Sequence, residues 1–295
     1  MTEGGLPAPV CVRHPDRETR LACTRCGRPA CPECLREAAV GYQCVDCVAA
    51  GLCETRQVRP ALVAWNRDRV LQRLRMPYLT YLLIAANVAA FAATAAQAHS
   101  MAANDDSALF VRWALWPPAV AHGELGRIVG AAFLHFGPIH LLANMFALYV
   151  VGRSIEAFLG SGKYLALYTV SMLGSAATVM LFSTHAITAG ASGAIFGLFG
   201  AELALLMVLR QSPAPVLAVI AFNVILSFSI PGISIWGHLG GLAAGTLAGF
   251  GMLYGPRILK ASAGKQADLV SWAAVLAVGA LSVTGIAVGM LRILN

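Results

Sequence analysis

The chain has 295 residues, of which 58% are hydrophobic and only 12% charged, with a mean hydropathy of +0.70. These values exclude a chain that is soluble and globular throughout, since such chains carry about 25% charged residues. The net charge of +7 is concentrated, much of it in one arginine-rich stretch ahead of the first apolar run.

All eight cysteines precede residue 54, and seven of them join His14 in four pairs: Cys11/His14, Cys23/Cys26, Cys31/Cys34 and Cys44/Cys47. Each pair has two residues between its members, the bite of a zinc knuckle, and eight ligands suffice for two tetrahedral sites. Disulfides are the rival reading, disfavoured by the reducing cytoplasmic side assigned below to this segment. Residues 8–50 are therefore expected to form a zinc-binding domain with two structural Zn2+ ions. A head of about 45 residues has too little core to fold without them. Cys53 is left over as a free thiol. The pattern resembles B-box-type zinc fingers, whose ligand pairs interleave. That resemblance implies that Cys11, His14, Cys31 and Cys34 hold one ion, and Cys23, Cys26, Cys44 and Cys47 the other. Spacing alone leaves sequential pairing open. With Tyr42 as its only aromatic residue, the head offers no stacking surface for nucleic acid. A cytoplasmic protein partner or a regulatory role is expected ahead of nucleic-acid binding.

Residues 51–76 read as a basic juxtamembrane linker, with six arginines from Arg56 to Arg75 suited to anionic lipid. About 75 polar and cysteine-rich residues come before the first span, so no signal peptide is expected. Seven apolar runs of spanning length follow, over 77–98, 133–152, 163–184, 192–209, 214–230, 236–254 and 269–291, each long enough for about 30 Å of hydrocarbon. The positive-inside rule places the linker and N-terminus in the cytoplasm. Parity then puts Arg153, Lys163, Arg210, Arg257, Lys260 and Lys265 inside, and the stretches "FSTHAITAG" and "SIPGIS", free of Lys and Arg, outside. The expected location is the cell membrane, with multiple passes.

Three polar clusters fall at the outer ends of their spans under this topology. Ser192 stands between glycines in "TAGASGAIFGLFGAE" at the start of the fourth span. His140 and Asn144 lie one helical turn apart on one face of the second, and His238 lies in the first turn of the sixth. Such groups inside a membrane are expensive and mark function. Small residues recur every fourth position, at Gly193, Gly197 and Ala201 on the fourth span and at Gly237, Gly241, Gly245 and Gly249 on the sixth. That spacing lets two helices approach closely, bringing Ser192 within reach of His238 as an activated nucleophile. No carboxylate lies near His238. Glu202 is about 15 Å further along its helix, so a dyad is expected, with Phe196 stacked on the His238 ring. Asn144 and His140 suit an oxyanion hole.

These residues resemble the rhomboid intramembrane serine proteases. The matching motifs are "GASG" around Ser192, "GHLGGLAAG" around His238 and "FLHFGPIHLLANM", over roughly residues 77–255. The resemblance implies Ser192 as nucleophile, His238 as general base and acid, and Asn144, His140 and the Ser192 backbone N–H as oxyanion hole, with no cofactor for catalysis. It also matches Glu156 and His135 to structural positions. Where the family often has Trp-Arg in the outer loop, this chain has Gly126-Arg127. The implied architecture is an all-α polytopic membrane protein: a six-helix core over 77–255, then residues 256–295 as a cytoplasmic loop and a seventh helix used for packing or facing lipid. The implied substrates are transmembrane proteins cut in or near the bilayer. The alternative is a catalytically inactive relative that binds membrane clients, against which the intact Ser192 and His238 speak. A transporter or haem protein built on His135, His140 and His238 would not need "GASG", and the chain lacks the internal repeats of transporters.

Overall fold

A computed structural model describes residues 8–51, 76–229 and 233–295. Cys53 and the stretch from Arg56 to Arg75 lie outside the described residues. The chain divides into two compact units, a cysteine-rich head and a helical body.

The head is built from two short hairpins. Strand β1 (Val10–Cys11) pairs antiparallel with β2 (His14–Glu18), and β3 (Leu35–Glu37) with β4 (Tyr42–Cys44). Its buried centre consists of Cys11, Cys23, Cys31, Cys34 and Cys44 with only Ala30 and Leu35 added. An apolar core that small cannot offset the entropy of ordering the segment.

The body contains seven long helices: α1 (Tyr78–Ala98), α2 (Gly137–Leu159), α3 (Ser161–Phe182), α4 (Ser192–Val208), α5 (Ala214–Ser229), α6 (Ile235–Ile258) and α7 (Lys265–Leu294). By length and composition α1, α2, α3 and α7 can each cross a membrane, while α4 and α5 are shorter apolar helices. Seven glycines dilute the hydropathy of the 24-residue α6, and these glycines face its neighbours rather than lipid.

The predicted second span begins four residues too early. Ala131–Phe133 is a 3-10 turn and Leu134 is extended. Gly137, at φ +74°, and a proline in the first turn then start α2, because proline's fixed φ and missing N–H suit only a helix start. The helix also runs past residue 152, through a π-helical turn at Leu148–Gly152, until Gly160 at φ +79° ends it. The predicted end of the fifth span, residue 230, lies outside the described residues.

Helices α3, α4 and α6 form the centre. A Cβ built on Gly241 would overlap the Gly193 carbonyl, one on Gly245 would overlap Gly197, and one on Gly249 would come within 2.7 Å of Ala201. These contacts step along both chains in the same direction, so α4 and α6 are parallel. Ser175 lies against Gly193 and Ser171 against Gly197, so α3 runs opposite to both. Helix α7 lies parallel to α3. Lys163 Nζ meets Asp268 Oδ1 at 2.6 Å near their first turns, and Arg292 donates to the Leu181 carbonyl at 3.4 Å near their last. The packing expected of α7 is present on that side, with Leu269, Leu276, Leu281 and Leu291 exposed on the other.

The segment between α1 and α2 carries three short helices (Ala108–Trp113, Pro117–Ala121 and Gly126–Gly130). It is pinned at the Ser192 end of the bundle: Leu115 and Thr188 exchange two backbone hydrogen bonds, and the Gly190 N–H donates to the Ala131 carbonyl at 2.8 Å. Fully buried Asn104 donates to Thr94 Oγ1 and the His135 carbonyl, and accepts from the Gly137 N–H at 2.9 Å.

Candidate active site

Ser192 is the first residue of α4. Gly190, at φ +135°, turns the chain into the helix through a conformation that side chains resist. The first N–H groups of a helix have no acceptor within it, so the Ser192 amide lies unspent beside its own hydroxyl. His238 stands in the first turn of α6, which Ser234 caps by accepting the Gly237 N–H at 3.1 Å. The glycine seam between α4 and α6 brings these two turns together. The distance from His238 Nε2 to Ser192 Oγ is 2.8 Å. Phe196, one turn along α4, stacks on the imidazole with centroids 4.2 Å apart and an interplanar angle of 10°, as the spacing predicts. His238 is buried, which excludes bulk water from most of the ring.

His140 flanks the same point from α2. A Cβ on Gly190 would lie 3.1 Å from His140 Nε2 and 3.5 Å from Ser192 Oγ, so both groups line one small cleft. The Phe136 backbone N–H approaches His140 Nδ1 at 3.3 Å. A backbone N–H only donates, so Nδ1 is the acceptor and a neutral His140 carries its hydrogen on Nε2, toward the cleft. Asn144 lies one turn further along α2. Its Nδ2 donates to the His140 carbonyl at 2.9 Å, leaving the second amide hydrogen free for a ligand. Asn144 is thus tied to His140 and makes no hydrogen bond to Ser192. His135 is fully buried and meets His140 edge-on at 5.1 Å between centroids.

One partner of His238 was not legible in the sequence: Ser227 Oγ of α5 lies 2.6 Å from His238 Nδ1. No motif surrounds Ser227, and only the rotation of α5 about its axis aims it inward.

Glu156 stands away from this cleft. Its carboxylate accepts the Leu79 and Thr80 N–H groups at 3.0 and 2.8 Å, the Thr80 hydroxyl at 2.8 Å and the Ser161 hydroxyl at 2.7 Å. It serves as a cap for α1 supplied from α2, where a negative charge also meets the positive end of the helix dipole. Arg127 donates to the Val111 and Ala114 carbonyls at 2.7 and 2.9 Å and to Glu124 at 2.8 Å. Trp113 fills the space beside Gly126, where a Cβ would come within 2.9 Å of its ring.

In the head, the ligand atoms of Cys11, His14, Cys31 and Cys34 lie within 4.8 Å of one another, and so do those of Cys23, Cys26, Cys44 and Cys47. The pairs therefore interleave, and the sequential arrangement does not occur. Nδ1 is the histidine atom turned inward, 3.3 Å from Cys34 Sγ. The Cys44 N–H donates to Cys23 Sγ at 3.1 Å, and Arg28 Nε to Cys26 Sγ at 3.4 Å. Backbone donors draw the thiols of Cys11 and Cys23 down to about 6, that of Cys31 acting on Cys11 and that of Cys44 on Cys23, while burial pushes Cys34 up to about 11. Sets of four soft donors at this separation, with N–H groups turned to sulfur, fit a tetrahedral zinc ion.

A family model for the Rhomboid domain matches residues 122–255. Over 153 residues the chain is 34% identical to "Rhomboid protease GluP" of Bacillus subtilis (strain 168), covering 48% of this chain and 30% of that one. It is 33% identical over 137 residues to the rhomboid protein YdcA of the same strain, covering 44% of this chain and 69% of YdcA. It is also 33% identical over 146 residues to "RHOMBOID-like protein 5" of Arabidopsis thaliana, covering 47% of each. The chain thus spans less than half the length of two of these relatives and two thirds of the other. With the Rhomboid match lying across the helices that carry Ser192 and His238, the chain belongs to the rhomboid family.

Proposed function

We propose that the chain is an intramembrane serine endopeptidase that hydrolyses peptide bonds in or near transmembrane segments of other membrane proteins. The observation that carries the reading is the 2.8 Å contact between His238 Nε2 and Ser192 Oγ inside a buried cleft. Ser192 Oγ attacks the scissile carbonyl carbon as its proton passes to His238 Nε2. The carbonyl electron pair becomes an oxyanion facing the Ser192 N–H, His140 Nε2–H and the uncommitted Asn144 amide hydrogen. His238 returns the proton to the leaving amine, and an acyl-enzyme remains. A water molecule then repeats the sequence, giving its proton to His238 and releasing the carboxyl product and free Ser192. Each oxyanion donor is worth about 3 to 4 kcal/mol in such a site.

The division proposed with this activity is a zinc head over 8–50, a linker over 51–76, a six-helix protease core over 77–255 and an accessory helix over 256–295. The head holds two structural zinc ions, one on each ligand set, and is open to a cytoplasmic protein partner. The excess of Arg and Lys on one side supports a cytoplasmic N-terminus and a cleft at the outer face. Labelling with a fluorophosphonate tests the site directly. Ser192 is expected to be modified in the wild type and unmodified in His238→Ala, and labelling at an unchanged rate without His238 would refute the assignment of the base.

A further inference from the structure

We propose that Ser227 is a positioning residue for this reaction, holding the His238 imidazole in the tautomer and orientation that present a bare Nε2 to Ser192. The inference rests on the protease reading above and adds a third member to its dyad. Helix α5 is exposed over most of its surface, and among its described residues only Ser227 is buried. Its Oγ has two neighbours, the Asn223 carbonyl at 2.7 Å and His238 Nδ1 at 2.6 Å.

A hydroxyl has one hydrogen to give. The Asn223 carbonyl can only accept it, so Ser227 Oγ faces His238 as an acceptor, and the hydrogen between them belongs to Nδ1. A neutral imidazole carries one N–H, which leaves Nε2 with its lone pair directed at Ser192 Oγ, 2.8 Å away. The opposite tautomer would oblige Ser227 to abandon Asn223. When His238 takes up the serine proton, Nδ1–H keeps its acceptor through the step. Phe196 fixes the plane of the ring by stacking, and Ser227 fixes its rotation within that plane.

A buried helical serine has an ordinary alternative, which is to bond only the carbonyl one turn back. Ser171 and Ser282 do so, at 2.7 and 2.9 Å. Ser227 makes that bond and a second one to an imidazole. No carboxylate takes this place: Glu156 binds α1 and Ser161, and Glu202 binds Ser154 at 3.0 Å. A neutral hydroxyl in this place also avoids burying an extra charge, which is costly in a low-dielectric site.

The test combines kinetics with a measurement that needs no turnover. In 15N spectra of histidine-labelled protein, assigned with His238→Ala, neutral wild type is expected to show His238 protonated at Nδ1; protonation at Nε2 would overturn the proposal outright. In cleavage of a single-span substrate, Ser227→Ala and the near-isosteric Ser227→Cys are expected to lose roughly 3- to 30-fold in kcat with KM changed less than about twofold, the loss of one hydrogen bond to a reacting group. Ser227→Thr, which keeps the hydroxyl, is expected to restore kcat to within about threefold of wild type, and thermal unfolding in detergent shows whether each variant is folded. A folded Ser227→Cys with wild-type kcat and an unchanged tautomer would overturn the positioning role while leaving the protease reading intact. Cleavage that survives Ser192→Ala would instead sink the protease reading, with the spectra still reporting on Ser227.

Discussion

Replacing Gly190 with alanine sets a methyl group in the cleft where the oxyanion must form. A Cβ at this position would lie 3.0 Å from His140 Cε1, 3.1 Å from His140 Nε2 and 3.5 Å from Ser192 Oγ. An oxyanion needs its donors at about 2.7 to 3.1 Å, so methyl and oxyanion compete for one volume. Losing the use of one donor costs roughly 10²- to 10³-fold in rate. The backbone adds a second penalty, since φ at Gly190 is +135° and a side chain held there costs of order 1 to 3 kcal/mol. Gly190→Ala is therefore expected to lower kcat by roughly 10²-fold or more and to reduce thermal stability modestly. The assay is cleavage of a single-span substrate in proteoliposomes, with unfolding followed in detergent. A folded Gly190→Ala variant cleaving within about threefold of wild type would refute the placement of the oxyanion between His140 and Ser192.

Phe196→Leu removes the ring stacked on His238 and keeps an apolar side chain; a loss of roughly 2- to 12-fold in kcat is expected from an aromatic contact worth about 0.5 to 1.5 kcal/mol, and unchanged kcat would deny Phe196 its orienting role. Glu156→Gln leaves buried donors of α1 facing an amide that cannot accept them all. At about 1 to 3 kcal/mol for each unpaired donor, the variant should unfold at a clearly lower temperature, and an unaltered midpoint would contradict the capping role. Metal analysis of the full chain should find two zinc ions, with Cys34→Ser and Cys44→Ser each reducing the content to one. Loss of both ions from either variant would contradict two independent interleaved sites.

The chemistry-bearing residues were legible because each sits in a local pattern. The serine between glycines, the i,i+4 pair of His140 and Asn144, and the four-residue spacing of glycines on α4 and α6 are all properties of short segments. They became a site because small residues at that spacing let the two helices pack closely, and the structure pairs them in parallel, so that their first turns meet. The four pairs of candidate metal ligands were legible for the same reason. Their interleaving was available only through a resemblance, since it depends on how two hairpins fold back on each other.

What escaped was set by tertiary geometry. Ser227 lies in an apolar run with nothing to distinguish it from Ser229, two residues on, which bonds its own helix at 2.9 Å. Only the rotation of α5 separates a serine that meets His238 from one that does not. Asn104 reads as a loop residue in sequence and proves to be the buried stitch joining α1 to α2. Apolar Phe133 and Leu134 make the start of α2 look four residues early in the sequence, although their place is in the turn before the helix. Hydropathy reports burial, while the backbone constraints of Gly137 and Pro138 decide where the helix starts.

The central claim is that Ser192 is a nucleophile acting on peptide bonds of membrane-embedded partners. Its most direct test is cleavage of a model single-span substrate by the purified chain in liposomes, comparing wild type with Ser192→Ala. Product from the wild type and none from Ser192→Ala is the expected result. Product formed equally by both, or by neither while a fluorophosphonate also fails to label Ser192, would contradict it.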